Sequence, residues 1–379
     1  MTDNYGFRTK LSHLGRRTKH EHGFVNPPLL RGSTVLMPTV AQRKSLQAQL
    51  GAQVLTYGTG GSETHWALEN TIAAIEGGTR CYIVSTGLAA VTVPLLVFLK
   101  SGDHMLMPDH VYGPARNFAS GMLVKYGVET TYYDPCITGE GLSELMRPNT
   151  TVVYTESPGS HTFEVQDIPA IAAAAHAGGA KVLMDNTWGI HHFQPFKHGV
   201  DVSIQAATKY LAGHSDVLIG SITVNNEDDW QTLHAGARQL GQYASPDDCW
   251  LTLRGIRTMG VRLAAQMDAA MRWRTGCGTG RRSRRCCIRG YRVRRGTRYG
   301  AAILPGRAAC SEWSSNRRFR PRRRMHSWRR WSCSASVRPG AVTKASRCRR
   351  RGISPARPEP GGSLGRWCGY TLGWRTWTI

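Results

Sequence analysis

The sequence predicts an α/β fold built on a mainly parallel, doubly wound sheet, and three observations lead there. Between residues 60 and 225, strand-like and helix-like segments alternate. The strand-like segments are short continuous apolar runs, as expected of a sheet covered by helices on both faces. Residues able to do chemistry, among them Ser85, Asp185 and Lys209, fall at or just beyond the carboxyl ends of those runs. That is where open α/β sheets bind their ligands.

In chain order, residues 81–84 predict a strand and the apolar run 89–99 a helix. Residues 105–107 predict a short strand, and 114–126, opened by Pro114, a helix. Residues 151–155 form the next predicted strand. The alanine-rich stretch 169–177 predicts a helix, closed by Gly178-Gly179. Strands follow at 181–184, 202–205 and 217–224. No internal repeat appears, and no linker precedes residue 271.

A chain of 379 residues has length for two to three domains and an ample core. The start, Met1-Thr2-Asp3-Asn4-Tyr5-Gly6, is polar and unlike a secretory signal. The longest apolar run, 91–99, is short and interrupted by Thr92 and Pro94, so no membrane span is expected. Up to residue 271 only Cys81, Cys136 and Cys249 occur, far apart. That count suits a reducing cytoplasm and provides neither a disulfide framework nor a metal site.

Beyond Met271 the composition changes abruptly. From Arg272 onward there are 28 Arg and 1 Lys against two acids, Glu312 and Glu359. This segment carries +27; since the whole chain carries +24, residues 1–271 carry −3. Seven of the ten cysteines and seven of the eleven tryptophans also lie there. A basic arm for nucleic acid would mix Lys with Arg, and ordinary disorder is poor in Trp and Cys. Translation of a G+C-rich gene in a shifted frame accounts for all three biases. The net charge therefore identifies no nucleic-acid partner.

Candidate chemistry concentrates at two strand ends. Val182-Leu183-Met184-Asp185 ends an apolar strand on an aspartate, and Lys209 follows the 202–205 strand in a turn of small and hydroxyl residues. This setting is expected to keep the lysine from bulk water. Such a pair suits pyridoxal 5'-phosphate: the lysine forms a Schiff base, and the aspartate keeps the pyridine nitrogen protonated. Ser85-Thr86-Gly87-Leu88 joins a strand to a helix start whose amides suit a phosphate. It does not match GxGxxG, which argues against a dinucleotide fold. Tyr112 sits where a helix begins after a strand end, a place from which it can stack on a flat cofactor. Each feature alone has a plainer structural explanation; the four in this order do not. Adjacent His191-His192 are expected to point to different sides and to be structural, not metal ligands.

These motifs resemble the Cys/Met-metabolism family of pyridoxal-phosphate enzymes, from about Thr9 to about Met267. The resemblance is carried by Phe24-Val25-Asn26-Pro27-Pro28, Tyr57-Gly58-Thr59-Gly60-Gly61, Val111-Tyr112-Gly113-Pro114, Glu156-Ser157-Pro158-Gly159-Ser160, Met184-Asp185-Asn186-Thr187-Trp188 and the Lys209 stretch. Ser160 favours the beta-lyase branch, since gamma-synthase and gamma-lyase relatives usually carry asparagine there. The resemblance implies an aspartate-aminotransferase-like fold of type I. It implies Lys209 as the Schiff-base lysine, Asp185 at the pyridine nitrogen and Tyr112 on the ring. Gly87 and Leu88 amides with the Thr208 hydroxyl would hold the phosphate. Tyr57 would reach the phosphate of a neighbouring subunit, within a homotetramer built from dimers.

Three regions are implied: an arm over 1–60 contacting a neighbouring subunit, a cofactor domain over 61–257, and a C-terminal region over 258–379. The last is not family-like from about residue 272. The implied activity is elimination of cystathionine to homocysteine, pyruvate and ammonia, with cysteine or cystine as further substrates. The gamma-synthase and gamma-lyase reactions are the alternatives. Lys209 would act as base, and Lys209, Tyr112 or Tyr57 would protonate the leaving thiolate. Two departures stand out: Thr59 replaces a common arginine, and Ala206 a common serine. The family's carboxylate-gripping arginine and its Ser-(Leu/Trp)-Gly-Gly loop are not recognisable after Met271.

Overall fold

The computed structural model describes residues 6–16, 23–49, 51–160 and 162–279, with side chains described to residue 272. The expectations for residues 280–379 lie outside the described residues. Two short helices, α1 (Phe7–His13) and α2 (Val40–Gln47), belong to the N-terminal arm. The arm closes on itself where the Gly58 N–H donates to Ser33 O at 2.7 Å. A β-carbon at Gly58 would come within 2.3 Å of Gly32 O, so only glycine allows that approach.

Helix α3 (Glu63–Glu76) starts with a capping box, Ser62 with His65, and ends at Gly77 in the left-handed region. It is missing from the sequence reading because its buried face includes Thr64, His65, Thr71 and Glu76, which break the apolar periodicity. Then come β1 (Arg80–Val84), α4 (Gly87–Phe98), β2 (His104–Pro108) and α5 (Gly113–Phe118). Helix α5 continues as a π-helical turn over Ala119–Leu123, so the expected single helix over 114–126 is divided.

Strand β3 (Glu129–Tyr133) also escaped the sequence reading. It is an edge strand with a mostly half-buried, polar Glu-Thr-Thr-Tyr-Tyr sequence, so it lacks the apolar run sought. After it come α6 (Gly139–Leu145), β4 (Thr150–Glu156), α7 (Ile168–Ala177), β5 (Lys181–Asp185), β6 (Val202–Gln205) and β7 (Gly220–Val224). Helices α8 (Glu227–Gln239) and α9 (Pro246–Thr279) complete the described chain.

The seven strands make one sheet in the order β1-β7-β6-β5-β4-β2-β3. All neighbours are parallel except at β7, which runs antiparallel to both β1 and β6. The expected mainly parallel sheet is therefore present, with one reversed strand inside it. One face packs Val84, Met105, Tyr154, Ile204 and Ile222 against α4, α5 and α8. The other face holds two separate apolar clusters. Leu68, Ile72, Ile83 and Ile256 belong to α3, β1 and α9; Leu106, Val153, Ile171 and Met184 belong to the α6–α7 side.

Between those two clusters the expectation of continuous apolar strands fails. Strands β6 and β7 alternate: Val202, Ile204, Ile222 and Val224 join the apolar core, whereas Ser203, Gln205, Ser221 and Thr223 do not. All four polar residues are buried, so the strands still look covered on both faces.

Candidate active site

The carboxyl ends of β4, β5 and β6 bring the predicted residues together. Strand register sets Glu156 directly beside Asp185, and Asp185 beside Ile204. Both carboxyls are buried. Burial pushes the Glu156 carboxyl up to about 8, and the neighbouring Asp185 pushes the same way. Burial likewise raises Asp185; its bonds from Thr187 and the Lys209 ammonium oppose the rise. Two acids side by side in low dielectric cannot both ionise freely, so one holds a proton more tightly.

Lys209 faces this pair from the loop beyond β6. Its Nζ lies 5.5 Å from the centre of the Tyr112 ring and 5.9 Å from that of Trp188. Trp188 in turn packs edge-on against Phe163 at 5.3 Å. Phe163 itself has φ of 60°, a conformation that costs a non-glycine residue energy and is found at functional sites. The expectation that Lys209 is shielded from water is corrected: its side chain is exposed. The residue stands four positions past the end of β6, on the rim of the sheet and not within it.

Tyr112 immediately precedes α5, with its amide donating to Glu156 Oε2 at 2.8 Å. Ser160 Oγ donates to the other oxygen, Oε1. His110 Nε2 lies 2.8 Å from the Glu156 carbonyl, so the Tyr112 loop is pinned to the end of β4 twice. In sequence, Glu156 and Trp188 stand out only as parts of motifs. An acid ending the apolar run Val152-Val153-Tyr154 is the same signal that marked Asp185.

The turn at α4 has open amides at a capped helix start. Thr86 caps the helix: its Oγ1 accepts from Ala89 N and its carbonyl from Ala90 N, both at 3.0 Å. The Gly87 and Leu88 amides are the first two of the helix, which point out of its positive end. A β-carbon on Gly87 would lie 2.7 Å from Ala206 Cβ, and one on Gly220 2.3 Å from Thr86 O. Helix start and lysine turn are thus packed as closely as glycine permits.

Two predicted residues lie elsewhere or are differently engaged. The Thr208 hydroxyl donates to Ile219 O at 3.0 Å and accepts from Ile219 N at 2.8 Å. Here it holds the lysine loop to the chain entering β7, and its proton is already used. Tyr57 is half exposed and lines a groove of about 680 Å³ between the arm and α8, with Leu36, Val40, His234 and Arg238. None of the Lys209 cluster borders that groove.

The expected divergence of the two histidines is corrected. His191 and His192 do not diverge: their rings lie 3.9 Å apart. His191 stacks on Phe7 at 3.7 Å and 6°, and burial pushes its pKa down to about 3. Its role is packing, and no metal-binding group occurs among the described residues.

The donor set fits pyridoxal phosphate: amides at a helix start for the phosphate, a buried acid for a ring nitrogen, aromatic faces, and an accessible lysine. The chain matches the Cys/Met metabolism PLP-dependent enzyme family over residues 8–274. It is 47% identical over 272 residues to a putative cystathionine beta-lyase of Rhizobium johnstonii, covering 72% of this chain and 67% of that one. It is 40% identical over 267 residues to cystathionine beta-lyase MetC of Escherichia coli, covering 70% and 67%. The crystal structure of cystathionine gamma-lyase from Lactobacillus plantarum complexed with L-serine is similar with a TM-score of 0.67 and 26% identity, covering 73% and 70%. Sheet, lysine cluster and similarity agree: this chain belongs to the Cys/Met metabolism family of pyridoxal-phosphate-dependent enzymes.

Proposed function

We propose that the protein is a carbon–sulfur lyase that cleaves cystathionine by α,β-elimination to homocysteine, pyruvate and ammonia. The observation that carries this reading is the Lys209 ammonium set between the Tyr112 and Trp188 rings, facing the Asp185–Glu156 pair. Bound pyridoxal phosphate supplies an electron sink for the pair left when the substrate loses its α proton. Lys209 would carry the cofactor and, once released by the substrate, would take that proton, its exposed side chain being open to an incoming amino acid. Asp185 would hold a proton at the cofactor's ring nitrogen, its burial making that pairing strong. Tyr112, steadied by Glu156 at its amide, would stack on the cofactor ring. The Gly87 and Leu88 amides would receive the phosphate. Thr208 contributes a hydroxyl there only by releasing Ile219. The Cβ–S bond then breaks with its electron pair going to sulfur, the homocysteine thiolate takes a proton from Lys209, Tyr112 or a neighbour's Tyr57, and water hydrolyses the released enamine to pyruvate and ammonia.

Ser160 and the two beta-lyase relatives support the beta route over the gamma one. Purified enzyme given cystathionine should release pyruvate; release of 2-oxobutyrate instead would move the assignment to the gamma branch. Cysteine and cystine are proposed as further substrates of the same site. The proposed organisation is an arm over 1–60, a cofactor domain over 61–257 and a C-terminal region beyond. Exposed Phe24, Val25, Leu36 and Val40 on the arm support its burial against a neighbouring subunit, within a homotetramer that would bring Tyr57 to a neighbour's site. No described helix is long and apolar enough to cross a membrane, which is compatible with the proposed cytoplasmic location.

A further inference from the structure

The sheet face opposite α4 carries a buried acid that the proposed mechanism does not use. Glu76, in the last turn of α3, is 1% exposed, and among the described residues no cation pairs with it. One of its oxygens, Oε1, collects three donors: Gln205 Nε2 at 2.7 Å, Asn186 Nδ2 at 3.0 Å and Ser203 Oγ at 3.0 Å. Asn186 directly follows Asp185 at the end of β5. Gln205 is the last residue of β6 and opens the segment leading to Lys209.

Further bonds close the same junction. Gln205 Nε2 also donates to Asn186 O at 3.0 Å, and Asn186 N donates to Ile204 O at 2.9 Å. One residue on, Ala206 N donates to Thr187 Oγ1 at 2.8 Å. The amide and hydroxyl side chains that interrupt the apolar pattern of β6 are the ones that meet Glu76. A buried carboxyl is costly in an apolar sheet face, and an apolar residue would pack there without the cost. Burial does raise the Glu76 carboxyl, and the bonds from Gln205, Asn186 and Ser203 pull it back.

We propose that Glu76 is a positioning residue: its Oε1 staples the end of β5, which carries Asp185, to the end of β6, which leads to Lys209. It thereby sets the separation of the two groups that hold the cofactor. The inference rests on the reading of Asp185 and Lys209 as that pair. It assigns the work to an acceptor oxygen, which glutamine retains and leucine lacks. Removing the acceptor takes from Ser203 Oγ its bond to Glu76 and from Gln205 Nε2 one of its two bonds, leaving Asn186 Nδ2 to Ile190 O and Phe193 O, so β6 loses its tie to α3 and its end is free to shift against β5.

The test uses the full chain titrated with pyridoxal 5'-phosphate, read by the visible band of the bound cofactor and by its Kd. Glu76→Gln should keep both band and Kd. Glu76→Leu, with helix content verified by circular dichroism, should displace the band and weaken Kd by about tenfold or more. An unchanged band and Kd in Glu76→Leu would overturn the proposal, as would a Glu76→Gln variant as impaired as the leucine one. Should Glu76→Leu not fold, Gln205→Met removes one arm of the staple and should cause a smaller change of the same kind. No change there also overturns it. Lys209→Ala serves as the control for the underlying reading. If that variant keeps the visible band, the site assignment fails and the staple with it. If it loses the band while Glu76→Leu matches the wild type, only the staple fails.

Discussion

Lys209, Asp185 and Glu156 gather at the end of the sheet, and each has a separable consequence. Lys209→Ala should abolish the visible absorbance of covalently held cofactor and lower elimination by roughly 10²–10⁴-fold or more. Turnover near the wild-type rate in that variant would remove Lys209 from its role. Asp185→Asn should still bind cofactor yet turn over far more slowly, because a neutral amide cannot hold the ring nitrogen protonated. Glu156 gives a signature readable without substrate. In the folded chain it keeps its proton to about pH 8, against 4.5 for the free side chain. Between those values the folded form binds the extra proton. Its stabilising contribution is therefore full below about 4.5 and is lost as pH rises toward 8. Other buried groups titrate too, with His191 and His234 pushed down to about 3 and about 4. The comparison must therefore be with Glu156→Gln, whose melting temperature should fall less steeply between about pH 5 and 8. Parallel wild-type and variant curves would show that Glu156 is not the group responsible.

At the scale of elements, the start of α4 and the Lys209 turn behave as one unit because Gly87 lets them touch. Gly87→Ala would set its β-carbon 2.7 Å from Ala206 Cβ and 3.1 Å from Ala206 Cα, so the helix start and the lysine loop must shift apart. Overpacking of this kind costs about 1–3 kcal/mol. A lower melting temperature together with weaker cofactor binding is expected, measured by thermal denaturation and cofactor titration. A loss of stability with cofactor binding intact would separate the α4 turn from the phosphate. The elements that carry this unit were legible in sequence because their strands are apolar on at least one face and end on polar residues. Residues 202–205 were placed as the structure has them. What escaped is governed by partners distant in sequence. Strand β3 is polar because it sits at the edge, and α3 hides Glu76 among apolar neighbours. The Thr208 hydroxyl turns to Ile219 because the loop after β6 folds back on the entry to β7. Asp185 and Lys209 were visible as local strand-end patterns. Glu156 required strand register, and the Glu76 staple required three segments meeting at one oxygen.

At the scale of the whole molecule, two features of the chain extend beyond one cofactor domain. Tyr57 lines a groove that none of its own Lys209 cluster borders, on an arm with exposed apolar side chains, so the proposed chemistry of Tyr57 would be performed in another copy. Mixing Tyr57→Phe chains with Lys209→Ala chains should regenerate some sites having both residues. Hybrids more active than either parent are the expected outcome, and hybrids that never exceed the parents would confine Tyr57 to its own subunit. The second feature is the segment from residue 272. The family match ends at residue 274, close to where 28 arginines and two acids take over the composition. In sequence, the segment is dense in like charges and shows little apolar periodicity. It also lacks a recognisable arginine or loop for the substrate carboxylate, and an eliminating enzyme needs its substrate oriented at the α carbon. The active natural enzyme is therefore expected to carry a different C-terminal sequence, read in another frame from near Met271. Intact mass spectrometry of the enzyme from its native source decides the matter. A mass differing from that of the 379-residue chain, with peptides restoring family-like sequence after Met271, is expected. A mass equal to that of the present chain, with full lyase activity, would show that the arginine-rich segment is native and that substrate is gripped by residues before it.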